Sequence, residues 1–166
     1  NTTVIRHKMK TGKRTVFSRF KGLNTGGDLS PQGMVAMVLS RGINPDVWVA
    51  PMGWEFLKDI KGKQLKQMCR TREAESGPAW SPDGKWIAFT QQWGGFQIGV
   101  VPAAGGNVKI YCEGEDPAWA ANSRNIIFTR RAGGVNKKRM AILDVPTEQV
   151  KILPAFRGGV GQPAWQ

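Results

Sequence analysis

One phrase is written almost three times along this chain. Pro78-Ala79-Trp80-Ser81-Pro82-Asp83-Gly84-Lys85-Trp86-Ile87-Ala88-Phe89 recurs as Pro117-Ala118-Trp119-Ala120-Ala121-Asn122-Ser123-Arg124-Asn125-Ile126-Ile127-Phe128. A weaker copy, Leu29-Ser30-Pro31-Gln32-Gly33-Met34-Val35-Ala36-Met37, lies upstream, and a shortened one, Pro163-Ala164-Trp165-Gln166, ends the sequence. Trp80, Trp119 and Trp165 are 39 and then 46 residues apart. A period of this size marks one supersecondary unit per repeat. A single unit cannot bury its own apolar face, so the units must stack or fan out.

The best copy shows how a unit is built. Pro78-Ala79-Trp80 is a short extended start, and Pro78 is tolerable at a strand's first residue. Ser81-Pro82-Asp83-Gly84 is a tight turn: Pro82 pre-sets φ, Asp83 bonds locally and Gly84 accepts a positive φ. Lys85 to Thr90 is apolar enough for burial on both faces. Phe96 to Val101 and Val108 to Cys112 supply two more strands, with a Gly-rich turn between them. Four antiparallel strands then lead into the next Pro-Ala-Trp, which describes a propeller blade. The expected fold is therefore all-β, a β-propeller of four-stranded antiparallel blades, with 21 Gly and 10 Pro serving its many turns.

The repeats divide residues 1–166 into one propeller domain with blades at about 27–77, 78–116 and 117–162. Residues 1–26 and 163–166 supply three strands of one shared blade, giving about four blade-equivalents of what reads as a larger propeller. An incomplete blade could be filled by a partner or by self-association. The first unit is long: Ser30 and Ser81 lie 51 residues apart, and the excess falls around Met52 to Lys58. Trp54 and Phe56 in this insertion either form an exposed contact patch or fold back onto the blade. Cys69 and Cys112 fall late in successive repeats, too far apart for a disulfide, and are expected as free thiols. The sequence begins Asn1-Thr2-Thr3 without a signal peptide, as a mature product or a fragment would.

The net charge of +12 is large for this length. Seven Lys or Arg crowd between Arg6 and Lys21, before the first acid at Asp28. Such charge either attracts an anionic partner or solvates outer strands and protects their edges. Catalytic constellations are not found: there is no Gly-x-Ser-x-Gly elbow, and His7 is the single histidine. No zinc spacing exists, so neither metal nor cofactor is expected. Glu113, Glu115 and Asp116 cluster in what reads as one loop, open to calcium, to a basic side chain of a partner, or simply to water.

Ser81-Pro82-Asp83-Gly84-Lys85-Trp86-Ile87-Ala88-Phe89 resembles the repeat of the TolB-like β-propeller family. Gly22-Leu23-Asn24, Leu39-Ser40-Arg41 and Asn44-Pro45-Asp46-Val47-Trp48-Val49 are also similar to a blade of that family, and the likeness runs from Val4 to Trp165. Asn122-Ser123-Arg124 in place of Asp-Gly-Lys, and Gln32 in place of Asp, depart from the pattern. The resemblance implies a periplasmic, non-enzymatic platform of the Tol–Pal envelope system. Its implied partners are a peptidoglycan-associated lipoprotein and Tol proteins.

The repeated tryptophans are expected to be structural, packed between blades. Contact residues are expected in loops that precede the first strands: Gly27, Asp28, Arg72, Glu73, Glu75 and Asp116. Two other readings stand beside this one. The chain could be a regulatory or substrate-gating propeller of a hydrolase, or a basic binder of anionic polymer or nucleic acid.

Overall fold

The computed structural model describes residues 1–132, 137–154 and 163. Among them every regular element is a strand. The order is β1 (Val4–Lys8), β2 (Lys13–Ser18), β3 (Asn24–Leu29), β4 (Met34–Leu39), β5 (Asp46–Pro51), β6 (Lys66–Gln67), β7 (Ala74–Trp80), β8 (Trp86–Gln92), β9 (Phe96–Pro102), β10 (Lys109–Glu113), β11 (Glu115–Trp119), β12 (Asn125–Arg131), β13 (Lys138–Asp144) and β14 (Gln149–Ile152). They form a two-stranded sheet β1-β2 and three four-stranded antiparallel sheets in chain order, β3 to β6, β7 to β10 and β11 to β14. The first strands β3, β7 and β11 touch one another in turn, so the sheets fan from a common inner edge. This is the expected propeller, present as a portion of a ring.

Burial explains why the second strands carry so little polarity. Trp86–Gln92 is buried at every position except its two ends, because neighbouring sheets cover both faces. Three cores lie in the gaps. Phe17 of β2 packs with Val35, Met37, Leu39 and Trp54. Ala36, Val47, Val49 and Cys69 pack against Trp80, Ile87, Phe89 and Val101. Ala88, Ile98 and Val100 pack against Trp119, Ile126, Phe128 and Leu143. Trp80 and Trp119, 8% and 6% exposed, therefore fill the seams between blades. Trp119 also donates its indole N–H to the Ala79 carbonyl across the seam (3.1 Å). Leu29 stands where the tryptophans stand and is 52% exposed. Trp165 and the strand expected there lie outside the described residues.

The turn in the repeated phrase closes as expected. Ser81 Oγ bonds Asp83 Oδ1 (2.6 Å), the Trp86 N–H donates to Ser81 Oγ (3.0 Å), and Gly84 has φ of 70°. The degenerate third copy does the same work with other residues. Asn122 Oδ1 accepts from the Arg124 and Asn125 amides, and Ser123 takes the left-handed position at φ 53°. Successive turns are also linked: Gln32 Nε2 donates to the Asp83 carbonyl (3.1 Å), and the Asp83 N–H donates to Ser123 Oγ (2.9 Å). The departures from the motif are thus tailored contacts. A Cβ at Gly84 would stand 1.9 Å from Gln32 Oε1, so Gln32 and Gly84 depend on each other.

The insertion folds back. Between β5 and β6, Trp54 is buried and stacks with Phe20, while Phe17 and Phe56 meet it edge-on. Asp59 holds this loop by accepting from the Trp54 indole (3.1 Å) and the Lys63 and Gln64 amides (both 2.9 Å). Trp54 is therefore core and offers no surface patch. Cys69 and Cys112 are free, and burial raises both thiols, Cys112 to about 11.

Candidate protein-contact surface

Each inner strand has a bulge at the same place. The register slips between Thr25 and Asp28, between Ser76 and Ala79, and between Glu115 and Ala118. The residue three before Leu29, Trp80 and Trp119 takes a left-handed backbone: Gly26 at φ 73°, Gly77 at 55° and Asp116 at 55°. A bulge sharpens the local twist and turns the strand's edge outward. Thr25, Gly26, Gly27, Ser76 and Gly77 are accordingly exposed, on a wall of small residues built from strands that touch in sequence.

The expected contact residues sort themselves on this frame. Gly27, Asp28, Glu75 and Asp116 lie within β3, β7 and β11 and not in loops before them, because each first strand starts ahead of the repeated phrase, at Asn24, Ala74 and Glu115. Gly27 is exposed and Asp28 half-buried. Asp28 Oδ2 accepts the Trp80 N–H (2.6 Å), joining the first blade to the second. The half-buried Asp116 donates its N–H to Thr90 Oγ1 (3.0 Å), joining the second to the third. Arg72 is exposed and Glu73 half-buried in the crossover that leads into β7. Glu75 departs from the expectation. It is 1% exposed, and burial chiefly pushes its carboxyl up to about 7. A side chain so enclosed cannot touch a partner.

Two members of the acidic group are engaged with bases of the third blade. Glu113 and Glu115 lie in strands, where Glu115 pairs with Lys138 (2.8 Å) and Glu113 with Arg130 (3.9 Å). Among the described residues no group of acids, cysteines and histidine has the arrangement of a metal site.

The chain matches the TolB beta propeller domain over residues 1–155. It belongs to that family. Among curated relatives, the Tol-Pal system protein TolB of Hydrogenovibrio crunogenus is 30% identical over 93 residues, 54% of this chain and 21% of that protein. The TolB of Rhizorhabdus wittichii is 34% identical over 80 residues, 46% of this chain and 18% of its own length. The chain therefore spans about a fifth of the curated relatives it matches. Among solved structures, TolB from Acinetobacter baumannii superposes with a TM-score of 0.82 at 18% identity, covering 98% of this chain and 40% of that one. The propeller domain of the Trilobed protease from Pyrococcus furiosus gives 0.59 at 19% identity, covering 81% and 43%. Likeness at these identities establishes the fold.

Two features of this TolB-family propeller escaped the sequence reading. Trp93, in the β8–β9 turn, is 63% exposed beside Arg130, Arg131 and Glu113 in a 330 Å³ cleft. It lies outside the repeated phrase, so periodicity gave no signal for it. The second is an 850 Å³ cleft lined by Arg6, His7, Lys8, Lys13 and Arg14, with Glu55 as its acid. The sequence showed the basic residues but not that the β1-β2 hairpin gathers them.

Proposed function

We propose that this chain is a non-enzymatic protein-binding propeller of the periplasmic Tol–Pal system, docking a peptidoglycan-associated lipoprotein or a Tol protein. The observation that carries the reading is the inner wall at Thr25–Gly27 and Ser76–Gly77, flanked by Asp28, Asp116, Arg72 and Glu73. Small residues let a partner's loop approach the backbone, while the flanking charges select and orient it. Membership of the TolB beta propeller family and the likeness to Tol-Pal TolB proteins support the choice of partner. The partner-binding set is thus Gly27, Asp28, Arg72, Glu73 and Asp116.

The test is titration of the full chain with the soluble domain of a peptidoglycan-associated lipoprotein, by calorimetry. Saturable binding that survives from 50 to 200 mM salt is the expected result. Absence of heat at both salts would remove the proposal.

A second reading draws on the basic cleft of the β1-β2 hairpin, where Arg6, Lys8, Lys13 and Arg14 outnumber Glu55. Such a surface would hold an anionic polymer through counterion release, with affinity that collapses over the same salt range. The salt dependence of each ligand therefore separates the two.

A further inference from the structure

Two carboxyl groups are enclosed together where the first full blade hands over to the second. Asp46, at the start of β5, is 4% exposed, and Glu75, in β7, is 1% exposed. Among the described residues the side chains that donate to them are neutral. Gln67 Nε2 of β6 donates to Asp46 Oδ2 (2.8 Å). Thr71 of the crossover bonds Glu75 Oε1, and Gln91 Nε2 of β8 donates to Thr71 Oγ1 (3.0 Å) and reaches Glu75 Oε1 (3.5 Å). Glu75 Oε2 is fully buried and receives nothing from any of these donors. Its neighbour is the Asp46 carboxyl, brought alongside because the Glu75 N–H donates to the carbonyl of Pro45, the residue before Asp46 (2.8 Å). The other titratable group facing the pair is the Cys69 thiol, which stays neutral because burial raises it. Among the described residues, no Lys, Arg or His is a leading influence on either acid.

Two bare carboxylates side by side in a dry seam would repel with only neutral donors to hold them, whereas one proton between them satisfies the orphan oxygen. We propose that Asp46 and Glu75 share a single proton that fastens the first blade to the second, and that its loss loosens the crossover from Cys69 to Glu73. The step is a simple ionisation: the Glu75 Oε2–H bond breaks, the proton goes to water, and two adjacent carboxylates remain. The geometry places this event under the strand's own anchor, since the Glu75 N–H donates to the Pro45 carbonyl (2.8 Å) and Met68 N–H to that of Val47 (2.8 Å). The crossover hanging from these bonds carries the exposed Arg72, whose carbonyl accepts from Asn44 Nδ2.

The sign follows from linkage. Burial, with a further contribution from Asp46, raises Glu75 from 4.5 to about 7 in the folded chain. A folded group that holds its proton more tightly than the unfolded chain does stabilises fully below pH 4.5. That contribution fades as the pH rises through about 7. Asp46 shifts upward as well, burial again leading, and adds to the same trend.

The experiment compares the full chain with Glu75→Gln, whose amide keeps the shape and cannot ionise. Between pH 5 and 8 the thermal midpoint of the unchanged chain should fall by roughly 5–10 °C relative to Glu75→Gln. Amide exchange at 68–75 should quicken over the same range beyond its intrinsic increase, and only in the unchanged chain. Titration of the Glu75 carboxyl by NMR in the unchanged chain decides the matter should Glu75→Gln fail to fold. A midpoint near 7 that moves down in Asp46→Asn supports the shared proton. A midpoint near the ordinary value of 4.5, or one indifferent to Asp46→Asn, overturns it. Parallel pH profiles for the chain and Glu75→Gln would overturn it too.

Discussion

Asp116 is the one bulge residue of the three inner strands that carries a side chain into the left-handed region, where the other two blades place Gly26 and Gly77. An L-residue there costs on the order of 1 kcal/mol, and among the described residues the Asp116 carboxyl accepts no hydrogen bond that Gly would forfeit, since it is the backbone N–H that reaches Thr90. Asp116→Gly should therefore leave stability unchanged or raise it by up to about 1 kcal/mol in urea unfolding. If Asp116 touches a partner, the same variant should weaken binding. A loss of stability above that size would show that the carboxylate is structural. The residue scale is also where the sequence was hardest to read. Asp83 and Gly84 declared a turn through their types, and the structure gives each that duty. Glu75 declared nothing, because a charged residue two places before a Gly-Pro pair reads as surface. Only the third dimension, which brings Asp46 of another blade against it, removes it from water.

At the scale of the element, strand patterning was legible because both faces of each second strand are covered. β8 and β12 announce themselves by the apolar runs Trp86–Phe89 and Ile126–Phe128. Their first-strand partners were less clear. Asn24–Leu29 holds two glycines and three polar residues, and its extent is set by pairing with β4 and by the bulge at Gly26 rather than by propensity. The β5–β6 insertion was visible only as excess length. What folds it back is Asp59, whose carboxylate the Gln64 and Lys63 amides hold below the usual range against the opposing pull of burial. The bonds that depend on it are present at neutral pH and are lost as the pH falls through that lowered value. Asp59→Ala should speed hydrogen exchange at Lys63 and Gln64 by about tenfold or more, while exchange in β8 and β12 stays slow. Unchanged exchange at those two amides would mean that Trp54 packing alone holds the loop.

For the whole molecule, the account joins a ring-forming scaffold to a surface at its inner edge. The scaffold follows from the repeat period, from the seams filled by Trp80 and Trp119, and from the turn-to-turn bonds through Gln32, Asp83 and Ser123. Part of the net charge of +12 is gathered in the β1-β2 cleft, and Arg6 and His7 of that hairpin also line a pocket with Gly27 and Asp28 at the edge of the small-residue wall. Association steered by that charge would be quickened at low salt. The measurement that tests the claim most directly is a hydrogen-exchange footprint of the full chain, free and saturated with the lipoprotein domain. New protection is expected at 24–29, 70–77 and 113–119, the three blade starts, with the outer end of the hairpin at 8–14 unchanged. Protection confined to that hairpin, or spread evenly over the outer strands, would contradict it.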